Sequence, residues 1–319
     1  MPDIDYLTIF RDAWKITWKN RFLWWFGFFL LLSAISTPNY FFSDDEKNHL
    51  QEFISQHALA IGIIFASLFL FLLILSFIAR GALIKSTQKI LQRKAINFKL
   101  GFRSGKKYFW NIFTIFFFTG LFIVVCGAIL FVPIAMLFLA KSYVLAIVLV
   151  IPAGIFFIAL AILCEYLQTY GCFYVVLANV KPWLAIENAY ALFKKNILAS
   201  IIMSLLFIPL SIFSFFVIIA IALIVLIVFG IIGVILFWAF KEIGVMIAIV
   251  TGLVTLISGI LIFSAFLCAF SEVAWLLFFY TIATPKEKEI VAEKKAEAEK
   301  ISTLASAEAV KTLEIETKE

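Results

Sequence analysis

From Ile197 to Phe240 the chain carries not one charged side chain. As a single straight helix, at about 1.5 Å per residue, that stretch would be roughly 66 Å long, about twice what a hydrocarbon layer of about 30 Å requires. No water-soluble domain accommodates such a run. The composition agrees, because 64% of the 319 residues are hydrophobic and 14% charged, against roughly 45–50% apolar in soluble domains. Ordinary extracellular, disordered and nucleic-acid-binding classes are thereby excluded, and the expected fold is an all-α, polytopic transmembrane helix bundle.

Six spans are predicted. The first runs from Arg21 to about Phe42, with Pro38-Asn39 near its far end, and the second from Ala58 to Ala79. The third covers Tyr108 to about Val132, where Pro133 is expected to break it, and the fourth follows Lys141-Ser142 to about Glu165. The charge-free stretch must bend, so a fifth span is read from Ile197 to about Ala222. An interfacial or re-entrant segment containing Gly230 and Gly233 then leads to Lys241-Glu242. A re-entrant backbone would have to be buried in protein, because lipid offers its amides no partner. The sixth span extends from Ile243 to about Phe270, and its helix continues toward Tyr280.

Basic residues distribute unequally about these spans. One side holds Arg11, Lys15, Lys19, Arg21, Arg80, Lys85, Lys89, Arg93, Lys94, Lys99, Arg103, Lys106, Lys107, Lys181, Lys194 and Lys195, and the other only Lys47, Lys141 and Lys241. The positive-inside rule then places both termini in the cytoplasm and the acidic Ser43–Lys47 loop outside. No cleavable signal peptide is expected, since the first hydrophobic run continues to full span length.

Three stretches that precede membrane hairpins are alike: Phe10–Asn20, Gly101–Asn111 and Ile186–Asn196, each ending in asparagine. The membrane domain, 1–284, is accordingly read as three units (about 1–80, 81–178 and 179–284), each an amphipathic interfacial helix plus a helical hairpin. In the first helix Tyr6, Leu7, Phe10, Trp14, Thr17 and Trp18 form the apolar face. Trp14, Trp18, Trp24 and Trp25 are interfacial anchors, because an indole suits a boundary that is wet on one side. In the second, Lys85, Lys89, Arg93, Lys94, Lys99, Arg103, Lys106 and Lys107 occur with no acidic residue between them. Such a surface fits anionic headgroups on the cytoplasmic face, each cation contributing about 1 kcal/mol. The flanking spans favour lipid over nucleic acid as its partner. The tail, 285–319, rich in Lys and Glu and without aromatic residues, is read as a helical or disordered cytoplasmic extension.

Chemistry-bearing motifs are scarce. His49 and His57 are the only histidines, and no metal-ligand or nucleophile–base spacing is found. No cofactor, metal site or catalytic residue is assigned. The string Gly101–Lys107 lacks the spacing and the preceding strand of a phosphate loop. Cys126, Cys164, Cys172 and Cys268 read as small apolar residues, and Gly120, Gly127, Gly154, Gly252 and Gly259 as helix contacts. Glu165 and Glu272 lie near the inner ends of even-numbered spans, with Arg80 at a comparable level. A charge there needs a partner. The expected cluster is Arg80, Glu165, Gln168 and Glu272, with Arg80 neutralising either glutamate. It would serve as a structural charge cluster or as the polar lining of a lipid-headgroup, ion or proton cavity.

The string Ala13–Phe29, AWKITWKNRFLWWFGFF, together with Ala189–Asn196, AYALFKKN, and the six-span layout resembles a family of uncharacterised bacterial six-pass membrane proteins. These are similar to the membrane domain attached to some glycerophosphodiester phosphodiesterases. The likeness spans residue 1 to about 284 and implies a bacterial plasma membrane. The catalytic barrel of those enzymes and its His/Glu metal ligands have no counterpart here, so no active site is implied. The expected function is non-enzymatic lipid handling, or scaffolding of a membrane complex with a protein partner not identified. A transporter or channel component and a membrane-embedded lipid-modifying enzyme are the alternatives.

Overall fold

The structure, a computed structural model, describes residues 4–34 and 58–283. Pro38-Asn39, the Ser43–Lys47 loop, His49, His57 and the tail 285–319 lie outside the described residues. Among the described residues every regular element is helical: α1 (Tyr6–Lys19), α2 (Phe22–Ala34), α3 (Ala58–Leu91), α4 (Phe98–Leu139), α5 (Tyr143–Ala178) and α6 (Pro182–Lys195). They are followed by one helical run, Ile197–Ile282, in which Lys241 is non-helical at φ 51°, ψ −130°. That residue divides the run into α7 (Ile197–Trp238) and α8 (Phe240–Ile282). α3, α4, α5, α7 and α8 are each apolar and long enough to cross a membrane, and α2 is a shorter apolar helix. The chain is a multi-pass membrane protein of helical class.

The break expected after Ala222 does not occur. α7 stays helical through Trp238, and its partners on α8 are symmetric about the turn. A Cβ on Gly233 would lie 3.4 Å from that of Ala248, and Gly252 and Gly259 face Phe229 and Ile221. Residues 223–238 are therefore one arm of an antiparallel hairpin. No proline or charge interrupts the chain between Pro209 and Lys241, and Gly230 and Gly233 keep a negative φ. At 42 and 43 residues the arms are about 63 and 64 Å long.

α4 likewise runs unbroken through Asn111 and Pro133. The surface segment before the third span is thus fused to that span. α1 and α6 do end at their asparagines, and in the same way. The Asn20 amide Nδ2 donates to the Ile16 carbonyl at 2.7 Å, and Asn196 Nδ2 donates to that of Leu192 at 3.1 Å.

The chain divides into two compact units. One comprises Asp5–Lys106 and Leu198–Trp275. Here α2 packs along α3, and glycines allow backbones to touch. A Cβ on Gly27 would lie 2.1 Å from the Ala265 carbonyl oxygen of α8, and one on Gly105 2.2 Å from that of Ile78 on α3. Leu23, Phe26, Ala79, Ala82, Leu83 and Phe270 form its buried core. The other unit comprises Lys107–Ile197 and the end of α8 from Leu276. In it α5 packs on α6, and Phe279 meets the rings of Phe173 and Tyr174 at 5.3 and 5.1 Å.

Candidate functional site

α1 starts at Asp5, whose carboxylate accepts the backbone N–H and the hydroxyl of Thr8. These bonds, the hydroxyl's first, hold the Asp5 pKa below its ordinary value. The helix buries Ile9, Ala13 and Thr17, at spacings of four, against the protein. This face shares only Thr17 with the one read from the sequence. Leu7 is 82% exposed, Trp14 43% and Trp18 53%, so these three make a second apolar stripe beside the buried one. Ile9 and Ala13 were missed because an isoleucine and an alanine are weaker signals than two tryptophans.

The tryptophans are held on their inner side by Phe266 of α8. Its ring lies 4.8 Å from that of Trp14, 5.7 Å from Trp18 and 5.3 Å from Trp24, each at a steep angle. Edge-to-face pairs of this kind contribute about 0.5–1.5 kcal/mol each. Phe10 adds contacts to Phe207 and Phe270. Trp24 also fixes the α1–α2 turn by donating its indole N–H to the Thr17 carbonyl at 2.9 Å. Trp25, next to it on α2, is 60% exposed.

Behind this cluster, in the same unit, lies the ion pair of Arg80 on α3 with Glu272 on α8. Nε and a terminal guanidinium nitrogen reach Glu272 Oε1 at 2.8 and 2.6 Å. The side chains are 24% and 11% exposed, so the charges are largely withdrawn from solvent and hold each other there. Ser86 and Thr87, within two turns of Arg80 on α3, are fully buried, and their hydroxyls have no partner. Thr17 Oγ1 is in the same state. Gly101 rests on Ser86, since a Cβ there would stand 2.6 Å from its Oγ.

The other two members of the expected cluster lie in the other unit. Glu165 is exposed. Gln168 donates from Nε2 to the Thr119 hydroxyl at 2.8 Å, and that hydroxyl donates to the Ile115 carbonyl at 2.7 Å. This joins α5 to α4 by a polar link inside an apolar pair.

Comparison of the chain with family models, curated proteins and solved structures finds no match. Among the described residues no group of His, Cys, Asp and Glu converges as metal ligands would.

The basic residues form a surface instead of a site. Lys99, Arg103, Lys106 and Lys107 are exposed, whereas Gly101, Gly105 and Tyr108 are buried. The first turns of α4 thus turn a cationic side outward and bury two glycines and a tyrosine on the other. Arg93, at φ 55°, and Lys94 are exposed in the turn after α3, and Lys85 and Lys89 are half-buried on α3. Cys164 and Cys172 are buried, Cys126 and Cys268 half-buried, and all four thiols are free.

Proposed function

We infer that this chain is a non-enzymatic plasma-membrane protein that organises or handles lipid from the cytoplasmic face. The observation that carries the reading is the outward row Lys99, Arg103, Lys106 and Lys107, at helical spacing and without an acidic neighbour on α4's first turns. A single-sign row at the start of a membrane span suits an anionic headgroup layer. The exposed stripe Leu7, Trp14 and Trp18 on α1 adds apolar anchorage. The charge asymmetry of the sequence supports cytoplasmic termini. Six spans in three units belong to the proposal. The matching Asn20 and Asn196 caps support the first and third units. The resemblance to phosphodiesterase-linked membrane domains is part of the same reading and rests on the strings Ala13–Phe29 and Ala189–Asn196. Scaffolding of a membrane partner is the nearest variant.

Native mass spectrometry of the full chain, released gently from its membrane, tests this. Several anionic lipids should remain bound, and K99Q/R103Q/K106Q/K107Q should shed most of them. Retention of a protein partner without lipid would overturn lipid handling in favour of scaffolding. Ion or solute flux in reconstituted liposomes would overturn it in favour of a transporter.

A further inference from the structure

Where α2 and α8 touch at Gly27 and Ala265, their exposed flanks diverge into a groove of about 500 Å³. Trp25 and Phe28 of α2 and Ser258, Ile262 and Ala265 of α8 line it, and Arg21 stands at its mouth. Arg21, in the turn before α2, and Trp24, Trp25 and Phe28 on α2 follow the three-and-four spacing of one helix face. The groove therefore has a direction. Its cationic end sits at the α1–α2 turn, where α1 supplies an interfacial tryptophan row, and its apolar end follows α8 toward Ser258. Arg21 is exposed, and among the described residues its guanidinium has no ion pair or hydrogen bond. Arg80 in the same unit is neutralised by Glu272. The lining contains no acidic side chain.

We propose that this groove seats one acyl chain of an anionic phospholipid whose phosphate is held by Arg21. The inference rests on the lipid-handling reading above and gives it a defined site. A guanidinium matches a phosphate through two parallel N–H donors, and a cation at the rim of an apolar groove fits the two ends of an amphiphile at once. An apolar segment of protein would leave Arg21 unpaired, and a soluble phosphate would leave the groove empty.

The test is titration of the full-length protein in detergent with phosphatidylglycerol, read by native mass spectrometry as occupancy of the tightest lipid. R21Q should weaken that lipid at least fivefold, the equivalent of about 1 kcal/mol. S258F, which fills the deep end from an exposed position, should do the same, while circular dichroism shows unchanged helix content. Phosphatidylcholine should bind more weakly than phosphatidylglycerol to the wild type and equally to R21Q. Excess inorganic phosphate should fail to displace the lipid. The belt variant K99Q/R103Q/K106Q/K107Q should keep this one lipid while losing others, which separates the groove from the belt. Wild-type affinity in both R21Q and S258F, or equal binding of the two lipids by the wild type, overturns the groove assignment alone. Absence of any retained lipid overturns it together with the lipid-handling reading.

Discussion

Arg80 and Glu272, 192 positions apart in the chain, meet through one carboxylate oxygen, which receives both Nε and a terminal nitrogen of the guanidinium. This ties α3 to α8. Removing one partner leaves the other charge stranded in a largely buried site. E272L or R80L should each destabilise the protein by about 2–4 kcal/mol, and R80M/E272M should recover most of the loss, because a buried pair is often replaceable by apolar packing. Thermal unfolding in detergent, followed by circular dichroism, gives the comparison. Equal stability of single and double variants would show the pair to be without structural weight.

The glycines separate into two kinds. Gly27 and Gly105 lie against the carbonyl oxygens of Ala265 and Ile78, whereas Gly120, Gly154 and Gly230 have nothing within 4 Å of a Cβ. G27A and G105A should each cost about 2–3 kcal/mol through forced separation of helices. G120A and G154A should instead stabilise by about 0.5–1 kcal/mol, because alanine loses less backbone freedom in a helix. The opposite signs are readable in parallel melting curves.

The Asp5 cap gives α1 a pH dependence. Its pKa is lowered by the Thr8 hydroxyl and then by the Thr8 backbone N–H. Its contribution is therefore fully present above the ordinary carboxylate range and is lost as pH falls through the lowered value. Amide exchange at Thr8, corrected for intrinsic rate, should accelerate in that acid window. In D5N that acid-induced step should be absent.

Gln168 and Thr119 offer a contained measurement of polar adhesion between α4 and α5. Q168L should lose about 0.6–1.5 kcal/mol, the size found for hydrogen bonds between membrane helices. T119V should lose a similar amount, and the double variant little more.

Lys241 turns the α7–α8 hairpin at φ 51°, ψ −130°, a conformation that disfavours any residue with a Cβ. K241G should raise stability by about 1–2 kcal/mol. An unchanged or lowered melting temperature would contradict a strained turn.

Much of this was legible beforehand. Apolar run length marks the long helices, and the need of an intramembrane charge for a partner singled out Arg80 and Glu272. Which glutamate Arg80 selects was not legible, since Glu165 and Glu272 have nearly equivalent sequence surroundings. Gly27 and Gly105 also escaped notice. A glycine in an apolar run looks the same whether a Cβ on it would meet open space, as at Gly120, or a carbonyl, as at Gly27. The expected break after Ala222 came from setting chain length against bilayer thickness, but nothing between Pro209 and Lys241 is able to end a helix. The chain's own physics there asks only for helix, and the membrane's dimensions do not enter its backbone hydrogen bonding.

That mismatch makes the α7–α8 hairpin a gauge. Arms of about 63 and 64 Å, even tilted by about 40°, project about 48 Å along the bilayer normal, well beyond a hydrocarbon layer of about 30 Å. Each ångström of added lipid thickness covers more of the first arm, which carries no charge before Lys241. Length alone therefore favours a thick bilayer for this hairpin over a thin one.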